Sequence, residues 1–192
     1  MVSPPNGTFK LNTDDSFLST TEGGGIGGVI RDHKGYWIVG FSKHTFGHND
    51  VMVEMEALLE GLNLAVNLNL NPIEIEIDFA EILQDLNHAH PIYATMVNDC
   101  WLLMKRLRNL VIHHNFRQAN KVADFLSKMG AKLTPSIQDA NISTPPGSAV
   151  AIVQPDKAGV SITKLISRTT CNKLACFGNL SVITITCDNV TT

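Results

Sequence analysis

The segment Ile73–Asp78 is the feature that most constrains the fold of this chain. Isoleucine alternates with glutamate from Ile73 to Ile77, and Asp78 follows directly. This period-two pattern places the isoleucines on one face of a β-strand and the carboxylates on the other. Because helical patterns lie on both sides of the segment, the strand is expected to join its sheet through crossover connections that return the chain in parallel.

Three more strands are predicted before this one, since three short segments alternate apolar and polar residues between glycine-containing turns. They are Thr8–Thr13, Ile26–Arg31 and Tyr36–Ser42. This arrangement predicts an antiparallel meander. The region Asp50–Asn69 then has apolar residues at helical spacing, which predicts a helix with Asp50 as its N-cap.

The pattern after residue 78 completes an alternating order of elements. It predicts a short helix around Ala80–Leu86, a longer helix around Tyr93–Leu110, a strand at Val111–Phe116 and a helix at Asn120–Met129 ending at Gly130. The resulting order is β-β-β-α-β-α-α-β-α. It predicts an α/β fold in which helices flank both faces of a mixed five-stranded sheet, with the chemistry at a crevice where strands end.

The density of charged residues falls near residue 130. Residues 1–130 contain 15 acidic and 10 basic residues, whereas residues 131–192 contain 3 and 5. Prolines also interrupt the second region. We therefore predict one domain over residues 1–130 and a mostly irregular tail over residues 131–192, in which Ala149–Val153 and Ser181–Thr186 have the pattern of short strands.

Composition narrows the classes of protein that the chain can belong to. The net charge is −3, so binding of nucleic acid cannot depend on a basic field over the whole molecule and needs a local site. We find neither an apolar run long enough to span a membrane nor a signal peptide, which predicts an intracellular protein of the cytoplasm or nucleus. The four cysteines lack metal-site spacing, and a monomer is the default expectation.

Four carboxylates come from separate predicted elements. Asp14 follows the first strand, Glu54 lies in the opening turn of the first helix, Asp78 ends the isoleucine strand, and Asp124 lies one turn into the last helix. Carboxylates that converge repel one another unless a cation lies between them, and hard oxygen ligands suit Mg²⁺ or Mn²⁺. Without a motif, Glu54 and Asp78 are equally typical of solvated surface residues.

A motif is present in five segments that occur in order along the chain. They are Lys10–Phe17, Gly27–Asp32, Glu54–Leu62, Ile75–Asp78 and Phe116–Lys128. Together they resemble the ribonuclease H domain, in the plant reverse-transcriptase-like group that is often derived from retroelements. The resemblance runs from about residue 6 to residue 130, and the residues from Thr144 to Val160 are similar to the tail of those plant proteins.

The resemblance implies a ribonuclease H-like fold and an endonuclease that hydrolyses the RNA strand of RNA–DNA hybrids. Asp14, Glu54, Asp78 and Asp124 match the family's carboxylates, which implies that they are catalytic and hold two Mg²⁺ ions, with Mn²⁺ as a substitute. In this two-metal mechanism one ion orients the attacking hydroxide and the other stabilises the leaving 3′ oxygen.

The resemblance also implies three residues on the substrate side. Ser16, Asn120 and His114 occupy positions near the bound nucleic acid. Asn120 is expected to cap the last helix and thereby position Asp124. His114 lies near the family's loop histidine, which implies a part in proton transfer or product release.

One residue departs from the family pattern. Asp15 stands where the family has a glycine, so a negative side chain replaces a bare backbone close to metal and RNA. Asp15 is a surface residue without consequence, an additional outer ligand, or the mark of a domain that has lost turnover. The second function class is therefore a catalytically silent, retroelement-derived module that binds nucleic acid or protein. A truncated product, with Thr169–Thr192 packing against nothing, is a third interpretation.

Other chemistry-bearing residues receive structural interpretations. Glu56, Glu60, Glu74 and Glu76 are interpreted as solvated, Trp37 and Trp101 as core residues, and His88 and His90 as loop residues. Lys105, Arg106 and Arg108 form a short basic run on the long helix, which is either a solvated face or a contact for nucleic acid.

Overall fold

The computed structural model describes residues 4–18, 23–46, 49–77, 91–107, 110–114, 120–133 and 140–150. Within these ranges the chain forms six strands and three α-helices. In chain order they are β1 (Phe9–Leu18), β2 (Gly23–Arg31), β3 (Trp37–Thr45), α1 (Asp50–Asn67), β4 (Ile73–Ile77), α2 (Ala94–Arg106), β5 (Val111–His114), α3 (Lys121–Gly130) and β6 (Ala140–Ile142). Short 3₁₀ helices at Pro91–Tyr93 and Gly147–Ala149 complete the described elements.

The strands form one mixed sheet in the order β5-β4-β1-β2-β3-β6. The first three strands pair antiparallel, β4 lies parallel to β1, and β5 lies parallel to β4. The predicted mixed α/β sheet is therefore confirmed. β1 lies inside the sheet, with β2 on one side and β4 on the other.

The sheet has six strands in place of the predicted five. The additional strand, β6, pairs antiparallel with the outer edge of β3 over Gly40–Ser42. The Trp37 indole nitrogen donates a hydrogen bond to the carbonyl of Ile142 at 3.0 Å, which fixes β6 against that edge. A strand of three residues is too short to show a recognisable period-two pattern.

The first three strands are longer than predicted, and this moves Asp14. β1 continues past Thr13 to Leu18, and Asp14 pairs with Gly27 in the middle of the β1–β2 ladder. The prediction that Asp14 follows the strand is therefore wrong. The partner strand contains a glycine cluster, and glycines contribute no side-chain pattern from which the extension of the ladder can be recognised.

The helix ends also differ from the predictions by a few residues. Asn49, rather than Asp50, caps α1: its backbone is extended, and its side-chain oxygen accepts a hydrogen bond from the Met52 amide at 2.9 Å. Both residue types are good caps, and the backbone conformation selects between them. The predicted helix at Ala80–Leu86 lies outside the described residues.

The predicted tail strands have different outcomes. Ala149 ends a 3₁₀ helix, so the predicted strand at Ala149–Val153 does not begin there. Its residues 151–153 and the predicted strand Ser181–Thr186 lie outside the described residues.

Helices cover both faces of the sheet. Leu11, Ile30 and Phe41 are fully buried in the larger core cluster, which also contains the apolar faces of α1 and α2. On the opposite face, Val122 and Leu126 of α3 pack against Val29. The three isoleucines of β4 are also buried, since the strand lies inside the layered structure.

Two features of the described residues concern membrane insertion and thiol chemistry. None of the described helices has the length and apolar character needed to cross a membrane. Cys100 is buried in the core, and desolvation together with the charge of Asp99 raises the pKa of its thiol to about 12. The thiol is protonated at neutral pH, so Cys100 does not serve as a thiolate nucleophile.

Close packing of α3 on β2 depends on glycine at position 27. A Cβ atom at Gly27 would overlap the backbone nitrogen of Ser127 and the carbonyl carbon of Leu126. Neither is the flexible end of a side chain, so the helix itself would have to move. Because Gly27 has no side chain, α3 can pack closely against β1 and β2, the strand pair that contains Asp14.

We predict that Gly27→Ala lowers the free energy of unfolding by about 1–3 kcal/mol, because overpacking forces α3 away from the sheet. Gly147→Ala is the matched control, since a Cβ there meets no atom within 4 Å. Urea denaturation of both variants measures the difference. Equal stabilities would contradict the close contact between α3 and β2.

Candidate metal centre

Three carboxylates converge where the second half of β1 lies close to the first turns of α1. Asp14, Asp15 and Glu54 each offer one oxygen, and these oxygens all lie within 4.8 Å of one another. Asp14 and Glu54 are 4% and 3% exposed, and Asp15 is half-buried. Among the described residues this group has the donor atoms and the spacing to hold a metal ion.

Helix α1 delivers Glu54 to this place because it lies close to β1. A Cβ at Gly61 would be 2.9 Å from both methyl carbons of Leu11 and 3.0 Å from the methyl carbon of Thr13, so glycine permits the approach. Glu54 precedes Gly61 by seven residues, about two helical turns, and therefore lies on the same helix face. It is directed toward the continuation of β1, where Asp14 and Asp15 lie.

On its other side β1 pairs in parallel with β4, from Phe9 opposite Ile73 to Asn12 opposite Glu76. Asp14 lies two residues further along β1. Asp78, the candidate after β4, lies outside the described residues.

The backbone orients the Asp14 carboxylate. The amide nitrogen of Asp15 donates a hydrogen bond to Asp14 Oδ1 at 3.1 Å. This contact draws the carboxylate of Asp14 along the strand toward Asp15. It also stabilises the ionised form, because the amide donates to a carboxylate oxygen.

Asn120 has a different role from the predicted helix cap. It is the residue before α3, but its side chain makes no cap hydrogen bond; instead Nδ2 donates to the carbonyl oxygen of Thr13 at 2.6 Å. The helix starts with a backbone bond from the Asp124 amide to the Asn120 carbonyl at 3.0 Å. The 2% exposed Asn120 side chain thus ties the start of α3 to the peptide that leads into Asp14.

The structure does not bring Asp124 into the group of converging oxygens. Its carboxylate is 41% exposed and contacts Lys128 Nζ at 2.7 Å through Oδ1 and 2.8 Å through Oδ2. Ser16 lies in β1 opposite Gly25, and His114 ends β5 opposite Ile77. Contacts of Ser16, Asn120 and His114 with a substrate remain predictions.

A buried polar network lies beside the carboxylates, and sequence reasoning missed it. Lys10 Nζ contacts Glu76 Oε1 at 2.5 Å, and the other oxygen of Glu76 accepts from Asn12 Nδ2 at 2.8 Å. Arg31 Nη2 donates to Asn12 Oδ1 at 2.7 Å, so the network crosses β4, β1 and β2. Lys10, Asn12, Arg31 and Glu76 are all at most 6% exposed.

The interpretation of the four glutamates as solvated is therefore wrong for Glu76, and also for Glu74, whose side chain is 13% exposed and lies 3.8 Å from Lys10 Nζ. The two helix glutamates also have partners: Glu60 contacts Lys43 at 2.8 Å, and Glu56 accepts a hydrogen bond from Thr45. Both contacts join α1 to β3. The signal that could have predicted the Glu76 contact is the alternation of Lys10, Asn12 and Asp14, which places three polar residues on one face of β1.

Comparisons with known proteins identify the family and the fold of the chain. The family model described as "Reverse transcriptase-like" matches residues 12–130. An Arabidopsis thaliana protein that bears the name ribonuclease H protein is 28% identical in an alignment of 137 residues that covers 69% of this chain and 22% of that protein. The chain thus spans about a fifth of the length of this relative.

Solved ribonuclease H structures have the same fold. The RNase H1 of Halobacterium salinarum superposes with a TM-score of 0.58 at 19% identity, covering 64% of this chain and 96% of that one. LC11-RNase H1, isolated from compost and solved with an RNA/DNA hybrid, gives 0.56 at 23% identity with the same coverage. These similarities show the ribonuclease H fold.

We predict that Lys10→Met lowers the free energy of unfolding by about 3–5 kcal/mol, because it removes the ammonium partner of the buried Glu76 carboxylate. Lys128→Met serves as the control, since Lys128 is 61% exposed and its pair with Asp124 is of the surface type. We expect a change below about 1 kcal/mol for the control. Chemical denaturation measures both, and similar losses would contradict a buried ion pair at Lys10.

We also predict that Asn120→Ala lowers the free energy of unfolding by about 1–3 kcal/mol, because the buried Thr13 carbonyl loses its side-chain donor. Asn98→Ala, at an exposed position of α2, removes the same amide without burying an unpaired group. We expect the control to change stability by less than about 0.5 kcal/mol. Thermal denaturation distinguishes the two, and a stable Asn120→Ala variant would contradict the tie between α3 and β1.

Proposed function

Because the chain belongs to the reverse transcriptase-like family, we propose that it is a metal-dependent endonuclease that hydrolyses the RNA strand of RNA–DNA hybrids. The observation that carries the proposal is the convergence of Asp14 and Glu54. Both carboxylates are buried, and they come from a strand and a helix that are distant in sequence. The chain has the fold of ribonuclease H, and one ribonuclease H of this fold, LC11-RNase H1, was solved with an RNA/DNA hybrid.

The residues fit a hard divalent cation. Carboxylate oxygens are the preferred ligands of Mg²⁺ and Mn²⁺, and two oxygens bound to one Mg²⁺ are at most about 4.2 Å apart. The observed separations within 4.8 Å approach that limit. Buried like charges repel, and a cation between them offsets this repulsion. Bound at this place, Mg²⁺ would activate water as the attacking group and stabilise the leaving 3′ oxygen in a two-metal reaction.

We propose that Asp14 and Glu54 hold these ions together with Asp78 and Asp124. Asp14 is oriented by the Asp15 amide, and Glu54 is fixed by the packing of α1 on β1. Asp124 contacts the ammonium of Lys128 in an exposed ion pair. Such a pair is weak, so it leaves the carboxylate available as a ligand.

The proposed substrate is recognised by its shape and by 2′-hydroxyls in a wide minor groove. The net charge of −3 offers no general attraction for nucleic acid, so binding requires local contacts. Lys105 and Arg106 at the end of α2 are exposed and can approach phosphates. We propose that Ser16 and His114 contact the hybrid near the carboxylates, and that the buried Asn120 acts by positioning the peptide that leads into Asp14.

A second candidate function is a catalytically silent module that binds nucleic acid or protein. Two observations favour it: Asp15 adds a third negative charge at the centre, and Asp124 is paired with Lys128. A module of this kind would bind the hybrid and leave it intact. Binding and cleavage are therefore measured separately.

The test is cleavage of an end-labelled RNA–DNA hybrid by the full chain with Mg²⁺ or Mn²⁺. We predict metal-dependent cutting of the RNA strand only. Asp14→Asn and Glu54→Gln are each expected to lower the rate at least about a hundredfold, the order of loss when one group of a preorganised electrostatic site is removed.

Asp50→Asn is the matched control, because Asp50 is an exposed carboxylate one turn before Glu54 on the same helix. Its rate should stay close to that of the unmodified protein. Hybrid binding without cutting by the unmodified protein supports the silent module. Equal cutting by the Asp14, Glu54 and Asp50 variants would point to a contaminating nuclease and contradict the proposal.

A further inference from the structure

We infer that Asp15 is a ligand of one cation, held jointly by Asp14, Asp15 and Glu54. This inference rests on the proposed function, because it assigns a new ligand to the same metal centre. The position is occupied by glycine in the family that the chain resembles. The ligand would therefore be a property of this chain rather than of the fold.

The convergence of Asp14 with Asp15 is not what a regular strand produces. Successive residues of a strand point to opposite faces of the sheet. Asp14 pairs with Gly27, whose position is covered by α3, and Asp15 pairs with Ile26, which belongs to the core cluster of α1. Oxygens of the two side chains nevertheless approach within 4.8 Å of each other and of Glu54.

The carboxylate of Asp14 bends along the strand, since its Oδ1 accepts the Asp15 amide at 3.1 Å. Asp15 itself is half-buried rather than fully exposed. The interpretation of Asp15 as a surface residue without consequence is therefore disfavoured.

A second observation independently points to a ligand. Nδ2 of Asn120 donates a hydrogen bond to the carbonyl oxygen of Thr13, so the Asn120 side-chain amide lies against the peptide bond between Thr13 and Asp14. Oδ1 of the same amide is buried and has no hydrogen-bond partner in the part of the chain that is described. The orientation of the amide is fixed, because a carbonyl oxygen can only accept a hydrogen bond.

The hydroxyl of Thr13, next to Asp14 in sequence, is a second buried oxygen without a hydrogen-bond partner among the described residues. Thr13 is 0% exposed and Asn120 is 2% exposed. Buried polar atoms are normally satisfied by protein or by ordered water. A hydrated cation on the neighbouring carboxylates would carry water O–H groups, the type of donor that these oxygens lack.

A third carboxylate changes the charge balance of the centre. It strengthens the attraction for a divalent cation, because affinity rises with the number of charged ligands. In the absence of the cation it adds repulsion between groups that are mostly buried. Asp15 should therefore stabilise the cation-bound protein and destabilise the cation-free protein.

The experiment measures Mn²⁺ binding to the full chain by electron paramagnetic resonance of the free ion, without nucleic acid. Asp15→Asn keeps the shape of the side chain and removes its charge. We expect it to weaken the tightest Mn²⁺ site at least about tenfold. Thermal unfolding gives a second readout: the variant should melt higher than the unmodified protein without metal, and Mn²⁺ should raise its melting temperature less.

Two controls separate a ligand from a general effect of charge. Glu56→Gln removes a carboxylate two residues from Glu54 whose oxygen accepts from Thr45, and an amide oxygen can still accept that bond. Asp50→Asn removes an exposed carboxylate from the first turn of α1. Both should bind Mn²⁺ within about twofold of the unmodified protein.

Equal Mn²⁺ affinity of Asp15→Asn and the unmodified protein would overturn the inference, as would an equal loss in all three variants or the absence of Mn²⁺ binding to the unmodified protein. The outcome is independent of turnover. A protein that binds Mn²⁺ through Asp15 but leaves hybrids intact supports the inference and rejects the nuclease. One that cuts hybrids with unchanged Mn²⁺ affinity in Asp15→Asn keeps the nuclease and rejects the inference.

Discussion

The pairing of β1 with neighbours on both sides is the constraint on which the rest of the structure depends. β2 pairs with it antiparallel over its whole length, whereas β4 pairs parallel with its first four residues. Asp14 and Asp15 lie in the second half of β1, where the pairing with β2 fixes their backbone opposite Gly27 and Ile26.

Much of this fold could be predicted from alternation of apolar and polar residues. The isoleucines of β4 give its first residue correctly, and the helical spacing in α1 locates that helix to within two residues. The pattern fails where side chains carry no signal. The glycines of β2 hide the continuation of the β1 ladder, and the three residues of β6 join the sheet through backbone hydrogen bonds that any sequence can make.

The candidate site was predictable in a different way. Spacing alone did not distinguish Glu54 from a solvated glutamate, and its assignment depended on resemblance. The position of Asp15 was not predictable at all, because strand periodicity directs it away from Asp14. Strand periodicity also failed to predict the surroundings of Glu76. The alternation in β4 indicated a solvated face, but Glu76 is buried and contacts Lys10 and Asn12.

The buried polar network and the carboxylate centre are related through the charges along β1. By alternation Lys10, Asn12 and Asp14 share one face of the strand. Lys10, four residues before Asp14, contacts Glu76, and Asn12, two residues before Asp14, accepts a hydrogen bond from Arg31 of β2. Such a row favours a rigid strand, because moving β1 would separate charges that are buried together. Rigidity of this kind is what a metal centre needs, since repelling carboxylates stay close only where the surrounding packing prevents their separation.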